Sequence, residues 1–213
     1  MRIAAVVVAG GRGVRFGGPK QFAAFDGATI AARSVAAARS VAEQVILVVP
    51  ASYDGAGEGA DVVVPGGATR SASVRAGLAA CPDADIVVVH DAARPLASPA
   101  LFHAVVDAVA NGADAAIPGL AITDTVKRVR RDRPWRVEET VPRDDLVTVQ
   151  TPQAFRKSVL VAAHADGDDA TDDAALLESR GASVVIVPGD VDNIKVTEPH
   201  DLDRVAQLAG GAR

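Results

Sequence analysis

The chain has 213 residues, of which 49% are apolar and 23% are charged, and this balance predicts one globular domain with a sizeable core. Its net charge of −5 argues against a general nucleic-acid-binding protein, and its single cysteine excludes an internal disulfide framework. The early apolar run at residues 3–9 is too short to span a bilayer and is followed by basic residues. We therefore expect a cytoplasmic protein with no membrane or nucleic-acid partner.

Short runs of β-branched residues alternate with alanine-rich stretches along the chain. The short runs are mostly continuously apolar, which is typical of strands covered by helices on both faces. The longer stretches have helical periodicity, and Ser98 followed by Pro99 is a helix start signal. The pattern predicts the α/β class: a Rossmann-like, doubly wound, mostly parallel sheet in one domain, residues 1–213. The predicted strands are 3–9, 45–50, 61–64, 86–90, 114–117 and 184–187, and the predicted helices are 29–41, 71–80, 98–111, 156–163, 172–180 and 199–208.

Residues 120–150 depart from this alternation, since they have strand-like periodicity around a charged turn. The pattern predicts a β-hairpin arm that protrudes from the sheet, with 122–129 pairing with 135–141. An isolated hairpin is only marginally stable in water, so we expect the arm to pack against other protein surface, such as a second subunit. The alternative is a long surface hairpin with solvated arginines.

The first predicted strand runs directly into a glycine-rich basic loop, "AGGRGVRFGGPKQF". This position is the carboxyl edge of the sheet, where open α/β folds bind ligands. Two common phosphate loops are excluded, because Phe16 stands where the dinucleotide fingerprint needs glycine and Pro19 stands where the P-loop needs lysine. Glycines allow backbone N–H groups to approach phosphate oxygens, and Arg15 and Lys20 can contact the same oxygens. The loop therefore predicts a polyphosphate site.

Further motifs follow in order: "GGATRSASVRAGL", "VVVHDAARP", "TVPRDDL", "QTPQAF" and "DVDNIKVTEPHDL". With the glycine-rich loop, they resemble the 2-C-methyl-D-erythritol 4-phosphate cytidylyltransferase family, within the sugar-phosphate nucleotidyltransferases. The resemblance implies a nucleotide-diphospho-sugar transferase-like fold and transfer of CMP from CTP to 2-C-methyl-D-erythritol 4-phosphate. The products would be pyrophosphate and 4-diphosphocytidyl-2-C-methyl-D-erythritol, in isoprenoid precursor biosynthesis. It also implies Mg²⁺ as cofactor and a homodimer formed through the arm, and we expect no fused second enzyme domain.

The resemblance assigns roles to individual residues of this chain. Arg15 and Lys20 would stabilise the transition state, while Arg143 and Lys195 would orient the acceptor phosphate. Asp91 follows a predicted strand, where a carboxylate can bind Mg²⁺, and a second ligand at Asp192 or Asn193 is left open. The expected CTP contacts are Ala9, Gly10, Gly11, Gly13, Arg15, Lys20, Gly67, Ala68, Ser73 and Asp91, and the expected acceptor contacts are Arg94, Thr125, Arg143, Thr151 and Lys195.

Two alternatives to this function remain open on the sequence alone. A ribitol-5-phosphate cytidylyltransferase has similar glycine-loop and "HDAARP"-type features, and a non-catalytic nucleotide-sensing module could use the same fold. Position 68 is Ala where some family members have Asp, so base recognition by a side chain at this position is in doubt. Turnover assays with both acceptors separate the two enzymes, and CTP binding without pyrophosphate release would indicate the sensing module.

Overall fold

The computed structural model describes residues 1–11, 13–53 and 57–211. Within these residues, eight strands form one sheet, and two further pairs of strands form small separate sheets. The strands are β1 (Ile3–Val8), β2 (Ala24–Phe25), β3 (Ala28–Thr29), β4 (Gln44–Val49), β5 (Val62–Pro65), β6 (Ile86–Asp91), β7 (Ala115–Ala121), β8 (Val126–Arg130), β9 (Arg136–Val141), β10 (Val147–Val149), β11 (Gln153–Arg156) and β12 (Val184–Pro188). The helices are α1 (Ile30–Ala38), α2 (Arg70–Ala79), α3 (Pro99–Ala110), α4 (Lys157–Ala163), α5 (Asp173–Glu178) and α6 (His200–Gly211).

The main sheet has the strand order β5-β4-β1-β6-β11-β7, with β10 and β12 also paired to β7. Strands β5, β4, β1 and β6 are parallel, and β12 is parallel to β7. Strand β11 is antiparallel to both of its neighbours, and β10 continues along the same edge of β7 beyond it. The predicted Rossmann-like, mostly parallel sheet is confirmed, but β10 and β11 were missed.

Alternating side chains of the central strands fill two hydrophobic layers, one on each face of the sheet. On one face, Val7 and Val88 pack with Phe102 and other residues of α1 and α3. On the other face, Val6 packs with Leu177 and other residues of α2, α4 and α5. All five side chains are fully buried, which explains why these strands are apolar without a polar alternation.

A third, smaller cluster brings the last segment of the chain against its first loop. Val205 of α6 packs with Phe25, Ile30 and Val196. The backbone N–H of Val196 also donates to the carbonyl of Ala93, 2.8 Å away, just after β6. The segment around residue 195 is thereby fixed beside the carboxyl end of the sheet.

Side-chain caps determine where several helices begin. Ser98 caps α3 as predicted, with its hydroxyl accepting from the N–H of Leu101, and Pro99 follows in the first turn. Thr69 caps α2 in the same way, by accepting from the N–H of Ala72. Helix α2 therefore starts at Arg70, one residue earlier than predicted, and Arg70 lies in its first turn.

The predicted hairpin is confirmed, as β8 and β9 pair antiparallel outside the main sheet with a bulge next to Val129. Ion pairs join its strands, for example Arg128 to Glu139 at 2.6 Å, so part of the predicted solvated basic face is paired. The protruding part is shorter than 120–150, because the ends of this segment belong to β7 and β10. Trp135 is 63% exposed on the arm.

Among the described helices, none combines the length and apolar character needed to cross a bilayer.

Candidate active site

A cavity of about 420 Å³ lies at the carboxyl ends of β1 and β6, where the parallel sheet predicts a ligand site. Its wall combines the glycine-rich loop, the start of α2, the end of β6 and the segment after β12. The predicted residues on this wall are Ala9, Gly10, Gly11, Arg15, Lys20, Gly67, Ala68, Ser73, Asp91 and Lys195. Sequence reasoning thus identified residues from four separate segments that the fold brings together.

Gly13 is the predicted CTP residue that shapes the loop without lining this cavity. Its carbonyl accepts hydrogen bonds from the N–H groups of Phe16, Gly17 and Gly18, at 2.9–3.2 Å. Its φ is +62°, and a Cβ atom there would lie 1.7 Å from the carbonyl oxygen of Gly18. Only glycine fits this turn without displacing the backbone.

Positive charge is concentrated on one side of the cavity. Lys20 donates from Nζ to the carbonyl of Val196, which places it beside Lys195. Burial lowers the pKa of Lys20, and the nearby charges of Lys195 and Arg15 lower it further. Mutual repulsion among these cations indicates a wall suited to a polyanion, whose charge would relieve it.

Asp91 supplies the negative charge on the described part of the cavity wall, in contact with one of these cations. Its Oδ2 accepts from Lys195 Nζ at 2.5 Å, and its Oδ1 lies 3.6 Å from Arg70 Nε. Burial raises the pKa of Asp91, but the charges of Lys195 and Arg70 outweigh this effect and hold the pKa below its ordinary value. The carboxylate is therefore ionised at neutral pH.

The donor set can be tested for its fit to Mg²⁺. The described residues contain no group of three or more His, Cys, Asp or Glu side chains that could hold a metal ion. Asp91 is a single ionised carboxylate in the cavity wall. Mg²⁺ commonly binds through one or two carboxylates together with substrate phosphates, so this wall fits a metal–triphosphate complex better than a protein-enclosed ion.

Thr151 and His90 lie directly behind Asp91. The Thr151 hydroxyl accepts from the backbone N–H of Asp91 at 3.0 Å and lies 3.2 Å from His90 Nδ1. His90 Nε2 is 3.2 Å from the carbonyl of Arg94. Because a carbonyl only accepts, Nε2 is the protonated nitrogen and Nδ1 accepts from Thr151. Burial lowers the pKa of His90 to about 4, so its ring is neutral at pH 7.

Arg94 and Asn193 extend the same network. Arg94 Nη1 donates to the carbonyl of Asn193 at 2.6 Å, and Asn193 Nδ2 donates to the carbonyl of Thr151 at 2.9 Å. Asn193 is fully buried, so its amide points into this network and is not exposed as a second metal ligand. The predicted acceptor residues Arg94 and Thr151 thus lie behind the cavity wall.

The other two predicted acceptor residues, Thr125 and Arg143, lie near the base of the arm and do not line this cavity. Both are exposed, and Arg143 donates to the carbonyl of Thr123. Within the described part of a single chain, they are not brought together with Lys195.

The predicted site residues left out six others that line the cavity: Val8, Gln21, Thr69, Arg70, Ala92 and Ala93. Arg70 Nη1 is 2.7 Å from the buried carboxylate of Asp173, which accepts from His164 Nε2 at 3.0 Å. The N-cap pattern at Thr69 was the available signal for Arg70, because it fixes where α2 starts.

A larger and more open depression, about 650 Å³, lies at the opposite edge of the sheet. It is bordered by the start of β6 and the end of β11, and includes Asp85, Arg156 and Lys157. Lys157 already donates to the carbonyl of Pro82, and Arg156 lies 3.9 Å from Asp114. Its position away from the carboxyl edge favours the smaller cavity as the active site.

The fold and the cavity together define an α/β protein of the nucleotidyltransferase type, with a glycine-rich loop and converging cations at the carboxyl edge of a mostly parallel sheet. The family model described as "IspD: 2-C-methyl-D-erythritol 4-phosphate cytidylyltransferase" matches residues 3–209. The chain belongs to this family.

Known relatives and solved structures agree with this assignment. A 2-C-methyl-D-erythritol 4-phosphate cytidylyltransferase from Streptomyces coelicolor is 45% identical, over 94% of this chain and 82% of the relative. A bifunctional enzyme IspD/IspF from Clavibacter michiganensis is 44% identical over 97% of this chain, which spans 54% of that relative. The crystal structure of the cytidylyltransferase from Thermus thermophilus has a TM-score of 0.83 and 35% identity, over 96% of this chain and 98% of that chain.

Proposed function

We propose that this chain transfers CMP from CTP to 2-C-methyl-D-erythritol 4-phosphate, with release of pyrophosphate. The observation that supports this most directly is the convergence of Arg15, Lys20 and Lys195 around one cavity that also holds an ionised Asp91. Both substrates are polyanions, and bringing them together requires charge neutralisation and positioning more than covalent chemistry.

The base and ribose of CTP would bind between the glycine-rich loop and the start of α2. Ser73 accepts from the N–H of Gly67 at 3.2 Å and donates to the carbonyl of Thr69 at 2.9 Å. Its hydroxyl proton is therefore engaged within the protein, and Ala68 has no polar side chain. We infer that backbone groups of Gly67 and Ala68 recognise the cytosine edge, with Ser73 holding them in place.

Lys20 and Arg15 would contact the triphosphate and stabilise the charge that develops on the departing pyrophosphate. Lys20 is held by Val196 with its ammonium close to a second cation, so an incoming phosphate oxygen would relieve a repulsion that the folded protein maintains. Arg15 lies on the same wall and would act on the same oxygens.

Asp91 would hold Mg²⁺ against the triphosphate, and the bound ion would shield phosphate charge from the attacking acceptor oxygen. Lys195 lies 2.5 Å from Asp91, whose backbone N–H donates to the Thr151 hydroxyl. We propose that Lys195 binds the acceptor phosphate, and that Arg94, which donates to the Asn193 carbonyl, positions the segment that carries Lys195. The His90–Thr151 pair, which contacts the backbones of Asp91 and Arg94, would hold the two binding sites at a fixed separation.

Thr125 and Arg143 fit the proposed acceptor site if a second copy of the chain supplies them. We propose a homodimer in which each arm reaches the partner's cavity, which would also cover the exposed Trp135 and Val137. Sedimentation of the purified protein tests this, and a monomer at all concentrations would contradict it. We also propose a cytoplasmic location, in keeping with the unpaired and buried Cys81.

The decisive experiment is pyrophosphate release from CTP and Mg²⁺ with 2-C-methyl-D-erythritol 4-phosphate, with ribitol 5-phosphate, or with no acceptor. We expect release only with the first acceptor, and at least roughly a hundredfold loss of kcat in the Lys20→Ala variant with unfolding unchanged. Faster turnover of ribitol 5-phosphate would contradict the assigned acceptor. CTP binding without release in any mixture would identify a sensing module.

A further inference from the structure

The side chain of Gln21 crosses the glycine-rich loop and joins its two ends. Nε2 donates to the carbonyl of Ala9 at 2.6 Å and to the carbonyl of Gly11 at 3.0 Å. Gln21 is 3% exposed and directly follows Lys20 in the chain. One amide group therefore ties the start of the loop to the residue beside the proposed phosphate-binding lysine.

These two bonds use the full donor capacity of the Gln21 amide. A carboxamide nitrogen carries two protons, and each is directed to a different carbonyl. Within the described residues, no other side chain is hydrogen-bonded to the backbone of Ala9, Gly10 or Gly11. The inner turn at Gly13 holds the middle of the loop but makes no bond to these first residues.

The bond to Ala9 also determines which way the loop presents the Gly10 N–H. In a trans peptide the C=O and N–H point in opposite directions, so the Gly10 N–H points away from the Ala9 carbonyl and from Gln21. The N–H groups of Gly10 and Gly11 donate to no acceptor among the described residues. Both residues line the cavity. Unpaired N–H groups on a cavity wall are donors available to a ligand oxygen.

We propose that Gln21 is a positioning residue for the nucleotide. Its amide fixes the Ala9 carbonyl, and this keeps the Gly10 N–H, in the same peptide unit, directed away from Gln21 and free to bind a nucleotide oxygen. The second bond, to the Gly11 carbonyl, holds the backbone beside Lys20 at a constant distance from the start of the loop. This inference rests on the proposed function, since it assumes that the nucleotide occupies the cavity.

The test compares Gln21→Glu with Gln207→Glu. Gln21→Glu keeps the shape of the side chain but places a carboxylate oxygen against two carbonyl oxygens, which repel it. Gln207 is an exposed residue of α6, so the same chemical change there is a matched control. CTP affinity is measured by calorimetry, and kcat and KM are measured separately for each substrate.

We expect Gln21→Glu to weaken CTP binding and raise its KM by about ten- to a hundredfold, the range for a buried hydrogen-bond pair left unsatisfied. In Gln21→Glu, the KM of the acceptor at saturating CTP should equal that of the unmodified protein. In Gln207→Glu, the CTP affinity, kcat and KM should all be unchanged. A role confined to folding would lower the urea midpoint and leave CTP affinity unchanged in the folded variant, and that result would overturn the inference.

Assays of CTP binding and pyrophosphate release by the unmodified protein distinguish a failure of this inference from a failure of the proposed function. If it neither binds CTP nor releases pyrophosphate, the proposed function is wrong. If it does both and Gln21→Glu binds CTP equally well, only the inference is wrong. Should the variant not fold, proton exchange at the Gln21 side-chain amide in the unmodified protein decides. Protection that persists with CTP bound is expected, and rapid exchange would overturn the proposal.

Discussion

His90 makes the stability of this protein depend on pH in a defined window. The ring is fully buried, with Nε2 against the Arg94 carbonyl and Nδ1 against the Thr151 hydroxyl. Protonation of Nδ1 would put a charge in the core and remove the acceptor of the Thr151 hydroxyl proton. Burial lowers the pKa of His90 from 6.5 to about 4 in the folded protein.

The sign and size of the effect follow from proton linkage. Between pH 6.5 and 4 the unfolded chain binds a proton at His90 and the folded chain does not, so acidification favours unfolding. At about 1.4 kcal/mol per pH unit across this interval, the loss approaches about 3 kcal/mol at pH 4. Asp91 acts in a different window: its lowered pKa contributes stability above its ordinary value of 3.8, which is lost only below that pH.

Urea unfolding at pH 7, 6, 5 and 4 measures this loss. The His90→Gln variant serves as reference, because glutamine provides one donor and one acceptor without titrating in this range. We expect the unmodified protein to lose about 3 kcal/mol more than the variant between pH 7 and 4. Parallel stability curves for the two proteins would refute the buried, neutral state of His90.

Two further substitutions test the geometry around the cavity. Thr151→Val leaves the Asp91 N–H and His90 Nδ1 unpaired and should cost about 2–4 kcal/mol in urea unfolding, whereas Thr151→Ser should retain most of that stability. Equal losses in both would show that the methyl group, not the hydroxyl, matters. Gly13→Ala should lower CTP affinity in calorimetry by at least roughly tenfold through its positive φ and its clash with Gly18, while Gly18→Ala, with open space around its Cβ position and no positive φ, should change affinity little. Equal affinities for the two variants would contradict the importance of this turn.

Sequence patterns were sufficient for most of the fold because the central strands are buried on both faces. Such strands are continuous apolar runs, and Val6 and Val7 belong to opposite layers of the core although they are adjacent in the chain. Strands β10 and β11 were missed for a physical reason. They have only three and four residues, Pro152 separates them, and Gln153 is polar although it is buried. Their pairing depends on β6 and β7, which lie far away in the sequence.

The predicted cavity residues converge because each follows a strand or begins a helix at the same edge of the sheet. This rule places loops, but it does not identify which side chains bond to each other. Arg70 and Asp173 are far apart in the sequence and form an ion pair that no local pattern indicates. The Gln21 amide likewise bonds to carbonyls, which every residue has, so its sequence context carries no signal of the contact.

The chain has a net charge of −5, yet cations line the cavity proposed to bind CTP. The two are compatible because the net charge counts every residue of the chain, whereas the cavity involves only a few. The chain as a whole has an excess of acidic residues. This excess disfavours the binding of an extended polyanion such as nucleic acid. On the described part of the cavity wall, four cations, Arg15, Lys20, Arg70 and Lys195, are accompanied by one carboxylate, Asp91. Burial lowers the pKa of Lys20, and the nearby charges of Lys195 and Arg15 lower it further. A small polyanion that fits within about 420 Å³ would contact this wall directly, so the local charges, and not the net charge of the chain, would govern its binding.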